Sequence, residues 1–144
     1  MMRLSSETLH ASTVALDGRA VLISGPSGSG KSDLALRLLD RGFTLVSDDQ
    51  TIVRKDGNKL IASAPPTIHG RLEIRGIGIV EMETVSDVPV ALFVELTSDI
   101  QRIPDDSRER LVLDVSIPLI SVDAMTASAP SKVAVALDRL GLAF

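Results

Sequence analysis

Cysteine, tyrosine and tryptophan are absent from this chain of 144 residues, and phenylalanine occurs only three times. Without cysteine there are no disulfides, no thiolate nucleophile and no thiolate-built zinc site. With so few aromatic rings, the stacking platforms that grip single-stranded nucleic acid or sugars have no material to be built from. No run approaches the ~20 apolar residues that a membrane span needs. The opening Met1-Met2-Arg3-Leu4-Ser5-Ser6-Glu7 lacks the apolar stretch of a secretory signal. An excess of positive charge is missing too. Lys+Arg number 15 against 19 Asp+Glu, a net charge of -4, which speaks against nucleic acid as the main partner. These absences together lead us to expect a cytoplasmic protein with neither nucleic acid nor membrane as partner. Its grip must come from backbone amides, charges and small polar groups.

What is present fits one globular unit. Hydrophobic residues at 44% and charged residues at 24% lie near the averages for soluble domains, and the length suits a single domain over residues 1–144. Thr8 to Leu16, the turn signal Asp17-Gly18 and the apolar Arg19 to Ser24 read as a hairpin. A glycine-rich stretch follows, then a helix from about Lys31 to Arg41 with apolar residues at Leu34, Ala35, Leu38 and Leu39, stopped by Gly42. Phe43 to Ser47 reads as a buried strand ending in Asp48-Asp49. Strand, glycine loop, helix, strand is a βαβ order and predicts parallel neighbours. Thr51 to Val53 and Lys59 to Ala62 read as short strands joined at Asp56-Gly57-Asn58. Val88 to Leu96 reads as a continuous buried strand, and Gln101 to Arg110 as a polar loop. Leu111 to Val115 with Pro118 to Val122 form a closing hairpin, and Ser128 to Leu140 a second helix stopped by Gly141. The fold class expected is α/β, a single domain on a mixed central sheet with the glycine loop after its second strand.

Gly25-Pro26-Ser27-Gly28-Ser29-Gly30-Lys31-Ser32 satisfies G-x-x-x-x-G-K-[ST] in full. The glycines let backbone N–H groups turn inward around phosphate oxygens, and the following helix aims its positive end at them. Lys31 adds a point charge, and the Ser32 hydroxyl suits Mg²⁺. The motif stands where this mechanism requires, after a strand and before an amphipathic helix. Asp48 and Asp49 follow Lys31 by 17 and 18 residues, at the carboxyl end of the next strand. Ligands bind outside such strand ends, so the pair belongs beside the γ-phosphate. One carboxylate there could orient Mg²⁺ or its waters, and the other could take a proton from an attacking hydroxyl. Leu72-Glu73-Ile74-Arg75-Gly76-Ile77-Gly78-Ile79-Val80 reads as a strand broken by two glycines. In it Glu73 and Arg75 share a face, and Ile74 and Ile77 meet the core. Either a bulge beside the site or an exposed edge strand accounts for it.

These residues together resemble the catalytic domain of the HPr kinase/phosphorylase family, bacterial enzymes that phosphorylate a serine of the phosphocarrier HPr of the sugar phosphotransferase system. The resemblance rests on His10, the loop Gly25 to Ser32, Leu45-Val46-Ser47-Asp48-Asp49 and Leu72 to Ile79. It runs closely from His10 to Val80 and loosely beyond, in a short form with only a brief lead before His10 where many members carry an N-terminal domain. It implies a PEP-carboxykinase-like P-loop kinase architecture and an ATP- and Mg²⁺-dependent protein-serine kinase. Lys31 and the loop amides would hold the phosphates, and Ser32 with Glu73 the Mg²⁺. The aspartate pair would supply the base, with Asp49 the first choice and Asp48 its partner. His10 would stand beside them, and Arg110 would steady the transferred phosphoryl group. Members are commonly hexamers, so a homo-oligomer is implied. The family also runs phosphorolysis, in which inorganic phosphate removes the phosphoryl group as pyrophosphate. The late loop tied to that reaction, Met125 to Lys132, has a Lys and no Arg here, so the expectation rests on the kinase direction.

Two other classes compete. A P-loop small-molecule kinase would want an Arg-rich lid and an aromatic substrate pocket, and neither is evident. A nucleotide-sensing domain without turnover would have no need of Asp48, Asp49 and Glu73. A small GTPase is excluded, because Asn58-Lys59-Leu60-Ile61 lacks the Asp of a guanine-reading motif.

Overall fold

The structure, a computed structural model, describes residues 5–100 and 108–144. Through them the chain runs β1 (Ser6–Leu9), β2 (Ala11–Leu16), β3 (Arg19–Ser24), α1 (Lys31–Leu39), β4 (Thr44–Ser47), β5 (Thr51–Asp56) and β6 (Lys59–Ser63). A 3-10 turn (Pro66–Ile68) leads to β7 (Arg71–Ile74), β8 (Gly78–Glu81), β9 (Val88–Leu96), β10 (Glu109–Val112), β11 (Val115–Val122) and α2 (Ala129–Leu140). The polar segment expected at Gln101 to Arg110 lies outside the described residues up to 107.

The hairpin of β2 and β3 forms as its turn chemistry dictates. Leu16 pairs with Arg19 across Asp17 (φ 51°) and Gly18 (φ 76°), the left-handed pair that matches the twist of two antiparallel strands. β3 lies parallel to β9, and β9 parallel to β11. β2 lies antiparallel to both β3 and β4. The strand order is β1-β5-β6-β9-β3-β2-β4, with β11 added to β9 and β10 to β11. The mixed α/β sheet expected from the sequence is therefore present. β7 and β8 form a separate two-stranded sheet.

Side-chain alternation along the strands feeds two cores. Val21 and Ile23 of β3 face one, with Leu34, Ala35 and Leu38 of α1 and Val133, Ala136 and Leu137 of α2. Ala20 and Leu22 face the other, with Val53 of β5, Leu60 and Ala62 of β6, and Val112, Val115 and Ile117 of the closing hairpin. A register shift between Ala20 and Val21 leaves Ala91 of β9 unpaired, so Ala91 and Leu92 both reach the helical side. Helices thus cover one face of the sheet and strands the other.

Four expectations need correction. β3 and β4 are parallel but not neighbours, because β2 folds back between them. The run Thr8 to Leu16 is broken at His10 into β1, which pairs with β5, and β2, which pairs with β3. The glycine loop therefore follows the third strand, not the second. Leu72 to Val80 is a hairpin, not a broken strand: Gly76 (φ 88°) and Gly78 (φ 115°) build its bend, and Arg75 sits in the bend rather than beside Glu73 on a face. Ile77 consequently stands 75% exposed, while Leu72 is fully buried and Ile74 packs on the core.

Candidate active site

The glycine loop is shaped by contacts that only glycine tolerates. A Cβ on Gly25 would stand 2.6 Å from Ser29 Oγ and 3.1 Å from Leu96 Cβ. Gly30 (φ 98°) lies against Ala124, 3.2 Å from where its Cβ would be. Ser29 N–H donates to Pro26 C=O at 3.0 Å, closing the turn, and Leu34 N–H to Gly30 C=O at 2.9 Å, starting α1. Among the described residues Ser29 Oγ is buried with no hydrogen-bond partner. Lys31, only 5% exposed, bends back over the loop, its Nζ donating to Gly25 C=O (3.0 Å) and Pro26 C=O (3.2 Å). An ammonium has three donors, so one is left for a phosphate oxygen.

Register brings the acidic pair to this loop. Ala11 pairs with Ser24 and Thr13 with Ser47, so the start of β2 lies between the carboxyl ends of β3 and β4. Asp48, 7% exposed, accepts from Ser32 Oγ (2.6 Å) and Ser12 Oγ (2.9 Å) at Oδ1, and from the Glu73 N–H (3.1 Å) at Oδ2. Ser12 also accepts from the Asp49 N–H at 3.0 Å. Asp49 itself turns outward with φ 65°, its side chain 61% exposed, and pairs through Oδ1 with His10 Nε2 at 2.7 Å. Behind them, Thr51 Oγ1 ties to Thr13 Oγ1 (2.8 Å) and to Ala11 C=O (2.9 Å). A chain of hydrogen bonds therefore links the loop serine to Asp48, Ser12, Asp49 and His10.

Nearly all the candidates named from the sequence gather here: Gly25 to Ser32, His10, Asp48, Asp49 and the backbone of Glu73. His10 occupies the break between β1 and β2 rather than the middle of a strand, and from there it reaches Asp49. Arg110 stands apart from the aspartates. It stacks on Phe93, 5.2 Å to the ring centroid, with its Nη1 3.5 Å from Ser24 Oγ, the residue just ahead of the loop. Ser12 was not among the candidates. Its signal was available: Ser12 and Thr13 are small polar residues inside an otherwise apolar strand, and both are fully buried.

The donor set fits a small hard cation. The Ser32 hydroxyl and the Asp48 carboxylate meet at 2.6 Å beside the loop, two hard oxygens of the kind such a cation takes, and Glu73 is tied to the same carboxylate through its backbone N–H.

The family model for the HPr Serine kinase C-terminal domain matches residues 3–138. The HPr kinase/phosphorylase of Latilactobacillus sakei is 34% identical over 128 residues, covering 80% of this chain and 41% of that protein. The HPr kinase/phosphorylase of Prosthecochloris aestuarii is 36% identical over 129 residues, covering 81% and 38%. The chain thus spans about two fifths of the length of these relatives. The solved structure of the Hpr(Ser) kinase/phosphatase from Coxiella burnetii superposes with a TM-score of 0.81 at 29% identity, covering 92% of this chain and 88% of that one.

Proposed function

The chain belongs to the HPr Serine kinase C-terminal domain family, and from that premise we propose that it is a catalytic domain transferring the γ-phosphoryl group of ATP to a serine hydroxyl of HPr or an HPr-like phosphocarrier. The observation that carries this reading is the hydrogen-bonded chain from Ser32 to His10, which sets an exposed carboxylate beside a phosphate loop. In the reaction, the loop amides and Lys31 hold the triphosphate and draw charge off the transferring group. Ser32, Asp48 and Glu73 would hold Mg²⁺, which when bound neutralises the phosphate oxygens. Asp48 is buried and committed to three donors, so it keeps Ser32 and the Glu73 backbone in place. Asp49 is exposed, with His10 fixing the orientation of its carboxylate. It accepts the proton of the incoming seryl hydroxyl as that oxygen attacks in line. Arg110 approaches from the loop's leading end and would steady the phosphoryl group.

The reverse step follows from the same groups. Inorganic phosphate would attack the phosphoserine, Asp49 would return its proton to the leaving serine oxygen, and pyrophosphate would depart. A homo-oligomer on the hexameric pattern of the family completes the reading, and sedimentation velocity measures it. No helix among the described residues is long and apolar enough to cross a membrane.

The test is transfer itself. The purified chain, ATP, Mg²⁺ and purified HPr are incubated, and the carrier is examined by mass spectrometry, first alone and then with excess phosphate. Phosphoserine on the carrier is the expected result, and the step with excess phosphate tests whether it is lost again with pyrophosphate formed. ATP binding with no transfer would turn the reading towards a small-molecule kinase or a nucleotide sensor.

A further inference from the structure

The site has two flanks; the aspartate pair and His10 occupy one, and Arg110 reaches Ser24 from the strands of the other. Asp48, Asp49 and His10 stand on the side of β2 and β4. On the other side the loop rests on the ends of β9 and β11: Gly25 against Leu96, and Gly30 against Ala124. In a phosphate loop the lysine reaches the β- and γ-phosphates and the amides cradle the α and β. If the γ end and the acceptor lie by Asp49, the nucleoside leaves on the flank of β9 and β11.

That flank carries the ordered segment Asp123 to Thr126, which shares Met125 and Thr126 with the late loop that the resemblance ties to phosphorolysis and which has no role in the kinase direction as derived above. Its shape is fixed from within: Met125 N–H donates to Asp123 Oδ1 (2.9 Å), and Thr126 Oγ1 to Asp123 C=O (2.7 Å). It is fixed from outside by Arg37 of α1, whose Nη1 donates to Thr126 C=O (3.1 Å) and whose Nη2 donates to Ala124 C=O. The same guanidinium lies against Asp33 as a charge pair, its Nε 3.1 Å from the carboxylate without a hydrogen bond, and Asp33 directly follows Ser32 at the loop's exit. A charged side chain thus straps the segment to the first turn of the phosphate-binding helix. At its crest Met125 is 88% exposed, a large apolar side chain left in water on a backbone held at both ends.

We propose that Asp123 to Thr126 forms the nucleoside subsite, with Met125 the apolar contact for the base and Arg37 the positioning residue that holds the segment against the phosphate loop. This rests on the phosphate loop being the nucleotide site. Phe43 and Phe93 are buried and Phe144 lies under Lys59 of β6, so aliphatic or thioether surface is what this flank offers a base. A methionine sulfur against an aromatic ring supplies that.

The experiment separates nucleoside from phosphates. Affinities for ATP and for inorganic tripolyphosphate, both with Mg²⁺, are measured by calorimetry on the wild type, Met125→Ala, Arg37→Ala and Lys31→Ala. Wild type should bind ATP more tightly than tripolyphosphate. Met125→Ala should weaken ATP about three- to tenfold, the size of a lost sulfur–ring contact, and tripolyphosphate less than about twofold. Arg37→Ala should show the same split, whereas a merely structural role would weaken both ligands together. An unchanged ATP-to-tripolyphosphate ratio in both variants, with Lys31→Ala weakening both ligands, would place the nucleoside elsewhere. Lys31→Ala leaving both affinities intact would overturn the phosphate-loop reading as well.

Discussion

Asp48 and Asp49 are chemically identical neighbours, and their surroundings separate their work. Asp48 is buried under two hydroxyls and one amide; Asp49 is turned out by a left-handed backbone and touches His10. In Asp48→Asn the amide can keep its oxygen on the Glu73 N–H and donate its NH₂ to the two serine hydroxyls, so the contacts survive but lose the carboxylate charge that strengthens each of them in a buried place. We expect a destabilisation of about 1–3 kcal/mol, read from the denaturant midpoint. Asp49→Asn, on the exposed side, should stay within about 0.5 kcal/mol of wild type. Equal midpoints for the two variants would mean that Asp48 carries no structural load. The sequence made the pair legible as a pair but not its division of labour, because burial of one member depends on Ser12, which lies 36 residues away in the chain.

Among the elements, the phosphate loop was readable because its chemistry is local: a strand, glycines at fixed offsets and a helix. The hairpin of β7 and β8 was misread because two glycines in an apolar run suit a bulge and a turn equally, and only the pairing of Glu73 with Ile79 distinguishes them. The consequences are measurable. Leu72→Ala should cost about 2–5 kcal/mol as a buried truncation. Ile79→Ala, at a position 69% exposed, should cost less than about 0.5 kcal/mol. Similar losses for both would contradict the hairpin. In the loop, Gly25→Ala drives a methyl group into Ser29 and Leu96 and should weaken ATP binding at least about tenfold, since the phosphate-binding amides must shift. Gly57→Ala meets nothing within 4 Å in the turn between β5 and β6 and should leave ATP affinity unchanged despite its positive φ. Calorimetric titration with ATP compares the two.

At the scale of the whole molecule, the α/β class followed from the order of elements, and the topology did not. A βαβ order fixes the relative direction of β3 and β4, yet β2 lies between them because the Asp17-Gly18 hairpin pairs β2 with β3 and leaves the other edge of β2 to β4. That insertion makes the site: His10, just before β2, and Ser12, at its start, land against the aspartate pair, and Asp48 reaches Ser32 of the phosphate loop. The central claim is that Asp49 takes the seryl proton at a loop that independently holds ATP. The most direct measurement is the single-turnover rate of transfer to HPr, alongside the ATP dissociation constant, for wild type and Asp49→Asn. The rate should fall by about 10²–10⁴ while the dissociation constant stays within about twofold. An affinity that collapses in step with the rate, or a rate that does not fall, would contradict the role assigned to Asp49.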